Sequence, residues 1–372
     1  MNRLMVLGTL ALVVIAACSP DSNSVTGLAA DRAVQIEADA PDAVYALTNQ
    51  ATDNAVAVFA RSADGALTWQ ANVPTGGSGA GSGLGSQGAL ASSEDGRWIF
   101  AVNAGSNDVS VFRVNGRGLS LVSRSPSGGS RPISLTVHDD VLYVLNAGGN
   151  GNISGFSLGS DGALSPIAGS SRPLSGSAVG PAQVSFSPNG RWLVVTEKAT
   201  NRLDVYAVNE GGVTSAVMTT ASAGGTPFGF AFGHRDELFV SEAAGSASSY
   251  VIDGNGGLSA ASGAVLTHQG APCWAVVTKN GKFGYTANAQ GGSISGFAID
   301  NDGSIGLIDA DGRTAVVGGG NIDLAVSGNS RYLYQLNGDR SISAFRIEAD
   351  GHLTAAGRTS GMPASTVGLV AR

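Results

Sequence analysis

The side chains able to do acid–base or charge-binding chemistry are few. Charged residues make up only 13% of the 372 positions, so each one narrows where chemistry can occur. Two stretches carry most of the candidates. The first, Gly180 to Val208, reads GPAQVSFSPNGRWLVVTEKATNRLDVYAV and holds Gln183, Glu197, Lys198 and Arg202. The second, LTHQGAPCW, holds His268, Cys273 and Trp274. A carboxylate or imidazole in this set could activate a water as general base, given reach of about 3 Å and a pKa near the working pH. A nearby Arg or Lys could stabilise an oxyanion or hold a substrate carboxylate. On that reading Glu197 and His268 are the candidate bases and Arg202 the candidate charge stabiliser. Gln183, Lys198, Glu242, Trp274 and Asn337 are candidates for contacting a substrate. Structural roles compete with each of these. Asn or Glu at a strand end can cap backbone or pair with Lys198 or Arg202, His268 can be a solvated loop residue, and Cys273 and Trp274 can simply pack. No His/Cys/carboxylate spacing forms a metal site, and no G-x-S-x-G elbow is present. No cofactor is called for.

The elements that must position these residues repeat along the chain. Gly180 to Val208 reads as three short strands, Gln183 to Ser187, Trp192 to Thr196 and Leu203 to Val208, parted by Pro188-Asn189-Gly190 and Ala199 to Asn201. The second strand of each copy ends in Asn or Glu: Asn49, Asn103, Asn146, Glu197, Glu242, Asn288 and Asn337. The third carries an aromatic: Phe59, Phe112, Phe156, Tyr206, Tyr250, Phe297 and Phe345. Both markers step together at intervals of 43 to 54 residues. Asn-Gly and Asp-Gly pairs between third and fourth strands supply the positive φ that hairpin turns need. Four antiparallel strands at this period define a propeller blade, and seven copies define an all-β, seven-bladed β-propeller. The chain enters on a second strand, Ala43 to Asn49. Val367 to Val370 is therefore expected to pair into blade one and close the ring, which removes open sheet edges. The insertion Thr75 to Gln87, TGGSGAGSGLGSQ, reads as a flexible loop.

This topology sorts the ionisable groups by face. The Gly-Pro links, the strand-end Asn and Glu residues and the second-to-third loops share one face, termed the top. The Asn-Gly and Asp-Gly turns lie at the bottom, and residues just after each link rim a central channel. His138, His234 and His352 fall in bottom turns; only His268 lies on top.

The N-terminus reads as a targeting signal. Arg3 precedes the apolar Leu4 to Ile15, and Ala16-Ala17-Cys18 resembles a bacterial lipobox with Cys18 as the lipidated residue. About 12 apolar residues are too few to span a bilayer, which needs roughly 20. The expected organisation is a lipoprotein signal peptide over 1–17, a flexible tether over 18–40 and the propeller over 41–372. The protein is then exported and lipid-anchored in the bacterial envelope; Ser19 after the Cys favours the outer membrane, facing the periplasm. A net charge of −7 without a Lys/Arg run excludes a nucleic-acid partner. A monomer is expected.

Gly180 to Val208, NAGSNDVSVFRV and NAQGGSISGFAIDNDGSI resemble the seven-bladed lactonase family, which includes 6-phosphogluconolactonase-type hydrolases and carboxymuconate-lactonizing enzymes. The phrases YVLN and YTAN also resemble YVTN-type surface propellers. The first resemblance implies hydrolysis of a sugar-acid or other small lactone, with Glu197 and Arg202 matching family positions at the channel mouth. It also implies a His after the Gly-Pro link, where this chain has Ala182-Gln183. The second resemblance implies a non-catalytic propeller that binds a sugar acid, a peptide or an envelope protein.

Overall fold

A computed structural model describes residues 42–318 and 320–372. The expected signal peptide, Cys18 and the tether lie outside the described residues. Seven antiparallel sheets carry the chain, each built from four consecutive strand positions with the first innermost. The outermost position is split in blades three and six, where Arg172–Pro173 and Ala315–Val316 add to the third strand. Val367–Ala371 pairs with Asp42–Leu47 (Tyr45 opposite Val370), so the last strand supplies the innermost position of blade one. Ring closure by the C-terminal strand is as the sequence implies.

The repeat has a packing reason. The aromatic that opens a second strand lies under the Asp-Gly or Asn-Gly turn of the next blade. Gly162, at φ +89°, shows what this demands: a Cβ there would sit 2.7 Å from the Trp98 ring. Second-strand tyrosines reach the same turns. Tyr143, Tyr285 and Tyr334 donate hydroxyls to the carbonyls of Gly212, Gly351 and Gly65, each in the following blade. Each buried phenol thus keeps a partner while its ring fills the space between sheets.

The strand-end Asn and Glu residues are all buried and spend their side chains on hydrogen bonds. Asn288 donates to Ser293 Oγ and Ser295 Oγ, and Asn337 to Ser341 Oγ and Ser343 Oγ, which locks the second strand to the third.

The Gly-rich insertion departs from the flexible loop expected from its composition. Asn49 clamps it, donating to Ser82 O (2.7 Å) and accepting from Ala80 N (2.8 Å). Gly79 passes so close that a Cβ would lie 2.3 Å from the Asn49 carbonyl carbon. The segment then turns inward and closes the channel. Ser86 Oγ donates to Ile133 O of blade three, and Trp274 Nε1 of blade six donates to Ser86 O. Gln87 takes Ala275 between both ends of its amide, donating to the carbonyl (2.7 Å) and accepting from the N–H (2.9 Å). Gly77 and Gly79 serve close approach, since a Cβ at Gly77 would lie 2.5 Å from the Asn103 side chain.

Candidate functional site: a plugged channel with two open ends

The plug divides the channel into two spaces of different chemistry. Below it lies a cavity of 450 Å3, lined in part by Gln87, Gln183, His138, Glu94 and Lys279. Above it, between blades three and four, lies a cleft of 280 Å3 bordered by Arg131 and Lys198.

Backbone irregularity sets which side chains face the channel. The inner strands of blades three to seven each shift register within the first residues after the link, between Pro181 and Gln183 for example. Such bulges re-aim side chains. Gln183 consequently lines the lower cavity, where its amide donates to Phe230 O (3.0 Å) and accepts from Phe230 N (2.8 Å). It staples blade four to blade five, as Gln87 staples the plug to blade six.

The residues singled out in the sequence do not converge. Glu197 is fully buried inside blade four. It accepts from Ser175 N (3.0 Å), Ser175 Oγ (2.5 Å) and Thr200 Oγ1 (2.6 Å). The same Ser175 N–H also reaches Asp204 Oδ2 at 3.1 Å, so two buried carboxyls share one donor. Burial, and then Glu197, push the Asp204 pKa up to about 7. This pair fastens the link ahead of blade four. Arg202 faces Glu197 across the strands yet is exposed, with no ion pair to it. Glu242 accepts four hydrogen bonds, from Ser222 Oγ, Gly224 N, Ser246 Oγ and Ser248 Oγ. His268 is exposed in the link between blades five and six and joins none of them. Trp274 holds the plug and packs edge-on against Phe228. Burial pushes the Cys273 thiol up to about 11, which suits a packed rather than a reactive thiol. Among the described residues no group of three or more His, Cys, Asp or Glu side chains is arranged to hold a metal ion.

Lys198 is the one singled-out cation placed at a cavity. Its ammonium donates to Gly85 O (2.5 Å) and Pro181 O (3.2 Å) and sits 4.9 Å from the Phe228 ring centre. Burial lowers its pKa to about 8, and the Arg131 charge acts in the same direction.

The lower cavity carries a pair that the sequence did not reveal. His138 Nδ1 lies 3.0 Å from Glu94 Oε1, bringing together the inner-strand ends of blades two and three. The ring leans on Phe186 at 5.7 Å and crowds Gly190, where a Cβ would meet its Nε2 at 2.4 Å. Asp139 Oδ2 stands 3.7 Å from Nε2. The spacing of 44 residues, one repeat, is the signal that could have found the pair. Equivalent turn residues of consecutive blades meet at the channel rim.

The sequence signature of the family described as "Lactonase, 7-bladed beta-propeller" matches residues 38–172 and 236–316, more than half of the chain. The match skips blade four and its entry link, the stretch holding Gln183 and Glu197. Among solved structures, the periplasmic gluconolactonase of Pseudomonas aeruginosa superposes with a TM-score of 0.70 at 18% identity, covering 89% of this chain and 98% of that one. A Lactobacillus plantarum protein superposes at 0.71 and 17% identity, covering 89% and 99%. A 6-phosphogluconolactonase candidate from Bacteroides fragilis superposes at 0.68 and 19% identity, covering 88% and 97%. At these identities the likeness establishes the fold. No curated protein matches the chain in sequence.

Proposed function

This chain belongs to the seven-bladed β-propeller lactonase family, and from that premise we propose that it hydrolyses a small lactone in the cavity beneath the plug. The observation that carries the proposal is the 3.0 Å contact of His138 with Glu94 at a cavity of 450 Å3. A carboxylate on Nδ1 fixes the tautomer with Nε2 as the basic nitrogen. Nε2 then takes a proton from water as the oxygen attacks the lactone carbonyl. The resulting imidazolium stands between two carboxylates, Glu94 and Asp139. Collapse of the tetrahedral intermediate breaks the ring C–O bond, and the imidazolium returns its proton to the leaving alkoxide. The product is the open hydroxy acid, and the Lys279 ammonium at the cavity wall is the charge available to its carboxylate. This scheme uses no cofactor. It assigns Glu197, Glu242 and Gln183 to holding the blades.

One observation favours a second reading. Gln183 spends both ends of its amide on Phe230 and offers no proton transfer, which suits a propeller that binds a sugar acid or an envelope protein without turning it over. A pH-stat screen of γ- and δ-lactones decides between them. Hydrolysis above the blank, lost in His138→Gln with an unchanged melting temperature, supports the enzyme. No acid release across the panel overturns it.

Export and lipid anchoring through Cys18, at the outer membrane, remain part of the proposal. Leu4 to Ile15 and the small residues before Cys18 support them.

A further inference from the structure

Arg131 and Lys198 border the top cleft, and neither is balanced. The Arg131 side chain makes no hydrogen bond or ion pair among the described residues. Lys198 bonds only to carbonyls. Two cations bordering one cleft without a carboxylate repel each other, in a chain whose net charge is −7. The arrangement is nonetheless held firmly. The Arg131 backbone N–H is fixed by Asn107 Oδ1 at 2.7 Å, and its φ is +53°. The residue before the link proline takes the same conformation in other blades, Thr226 at φ +60° and Ala271 at φ +54°, so the repeat itself fixes where the Arg131 side chain leaves the backbone. Ala178 on the facing link has φ +55°. Leu84 of the plug and the loop Gly149 to Gly151 complete the walls. The volume, 280 Å3, is near the lower end of the roughly 300–1,000 Å3 typical of small-molecule sites.

We propose that this cleft is an anion-binding site, separate from the cavity below the plug, that takes the carboxylate or phosphate of a small molecule between Arg131 and Lys198. The guanidinium offers a planar pair of donors that matches either group. Lys198 still has a third N–H to give after its two carbonyl bonds. Lys198 also bonds Gly85 of the plug, so an anion here binds beside a contact that helps seat it.

The test is calorimetric titration of the whole protein at low ionic strength, with inorganic phosphate in one arm and gluconate in the other. Saturable binding in either arm, weakened about tenfold or more by Arg131→Gln and reduced by added salt, is the expected result. The arm that responds identifies the favoured anion. Arg131 is exposed and makes no side-chain bond, so Arg131→Gln keeps the test sound even if Lys198→Met loosens the plug. No saturable binding in either arm, or equal binding by Arg131→Gln, overturns the proposal.

Discussion

Replacing Gln87 by Ala should unseat the plug without breaking the ring. The Gln87 side chain satisfies both backbone groups of Ala275, at 2.7 and 2.9 Å. Its removal leaves one N–H and one C=O unpaired in the channel wall. Each orphaned group costs about 1–3 kcal/mol. Water entering from the 450 Å3 cavity can take over part of the bonding, which favours the lower end. The expected loss is about 2–3 kcal/mol. At about 2 °C per kcal/mol for a chain of this length, the melting temperature should fall by roughly 4–6 °C. Hydrogen exchange locates the effect. The Ala275 amide and the amides of 79–87 should lose protection, while the Tyr45 and Tyr334 strands keep theirs, because opening is local. Gln87→Glu keeps an acceptor for Ala275 N but turns a buried carboxylate oxygen toward the Ala275 carbonyl, so it should destabilise at least as much as Ala. Unchanged Ala275 protection, with a melting temperature within about 1 °C of wild type, would refute the role given to Gln87.

Asp204 gives a pH-dependent prediction with a definite sign. Its folded pKa, about 7, lies above the unfolded carboxylate value, so it stabilises most below about pH 4 and that contribution is lost as pH rises through about 7. Denaturant titrations of Asp204→Asn should show a shallower fall over that window; Asp323, buried and pushed up to about 8, leaves a residual slope of the same sign. An identical pH profile in the variant would count against a protonated Asp204. At the N-terminus, metabolic labelling with a radioactive fatty acid should mark the wild type and not Cys18→Ser, and label retained by the variant would remove Cys18 as the anchor.

The fold was legible because its signals are local and periodic. Asn-Gly and Asp-Gly turns, strand-end Asn or Glu and third-strand aromatics each recur once per blade, and each has a packing duty that forces the recurrence. The plug was not legible for the opposite reason. Its contacts join Ser86 and Gln87 to residues 188 positions away, while its composition matches that of a linker. The site residues were legible as positions but not as roles. Glu197 does sit at a strand end in blade four, yet a capping carboxylate and a catalytic one share a sequence. Only burial and the donors from Ser175 and Thr200 separate them. His138 lies in a bottom turn, where composition and spacing reveal no cavity. The cavity beneath the plug lies at that face, and Glu94 meets the imidazole there.

The assignment of chemistry to that end is tested most directly by kcat/KM for lactone hydrolysis in three proteins: wild type, His138→Gln and Glu197→Gln. The account predicts a loss of about 10^2 to 10^4 in His138→Gln, the usual weight of a general base. Glu197→Gln should lose folding stability but retain near wild-type kcat/KM at temperatures where it is folded. Full activity in His138→Gln together with abolished turnover in folded Glu197→Gln would contradict it and return the reaction to the top of the propeller.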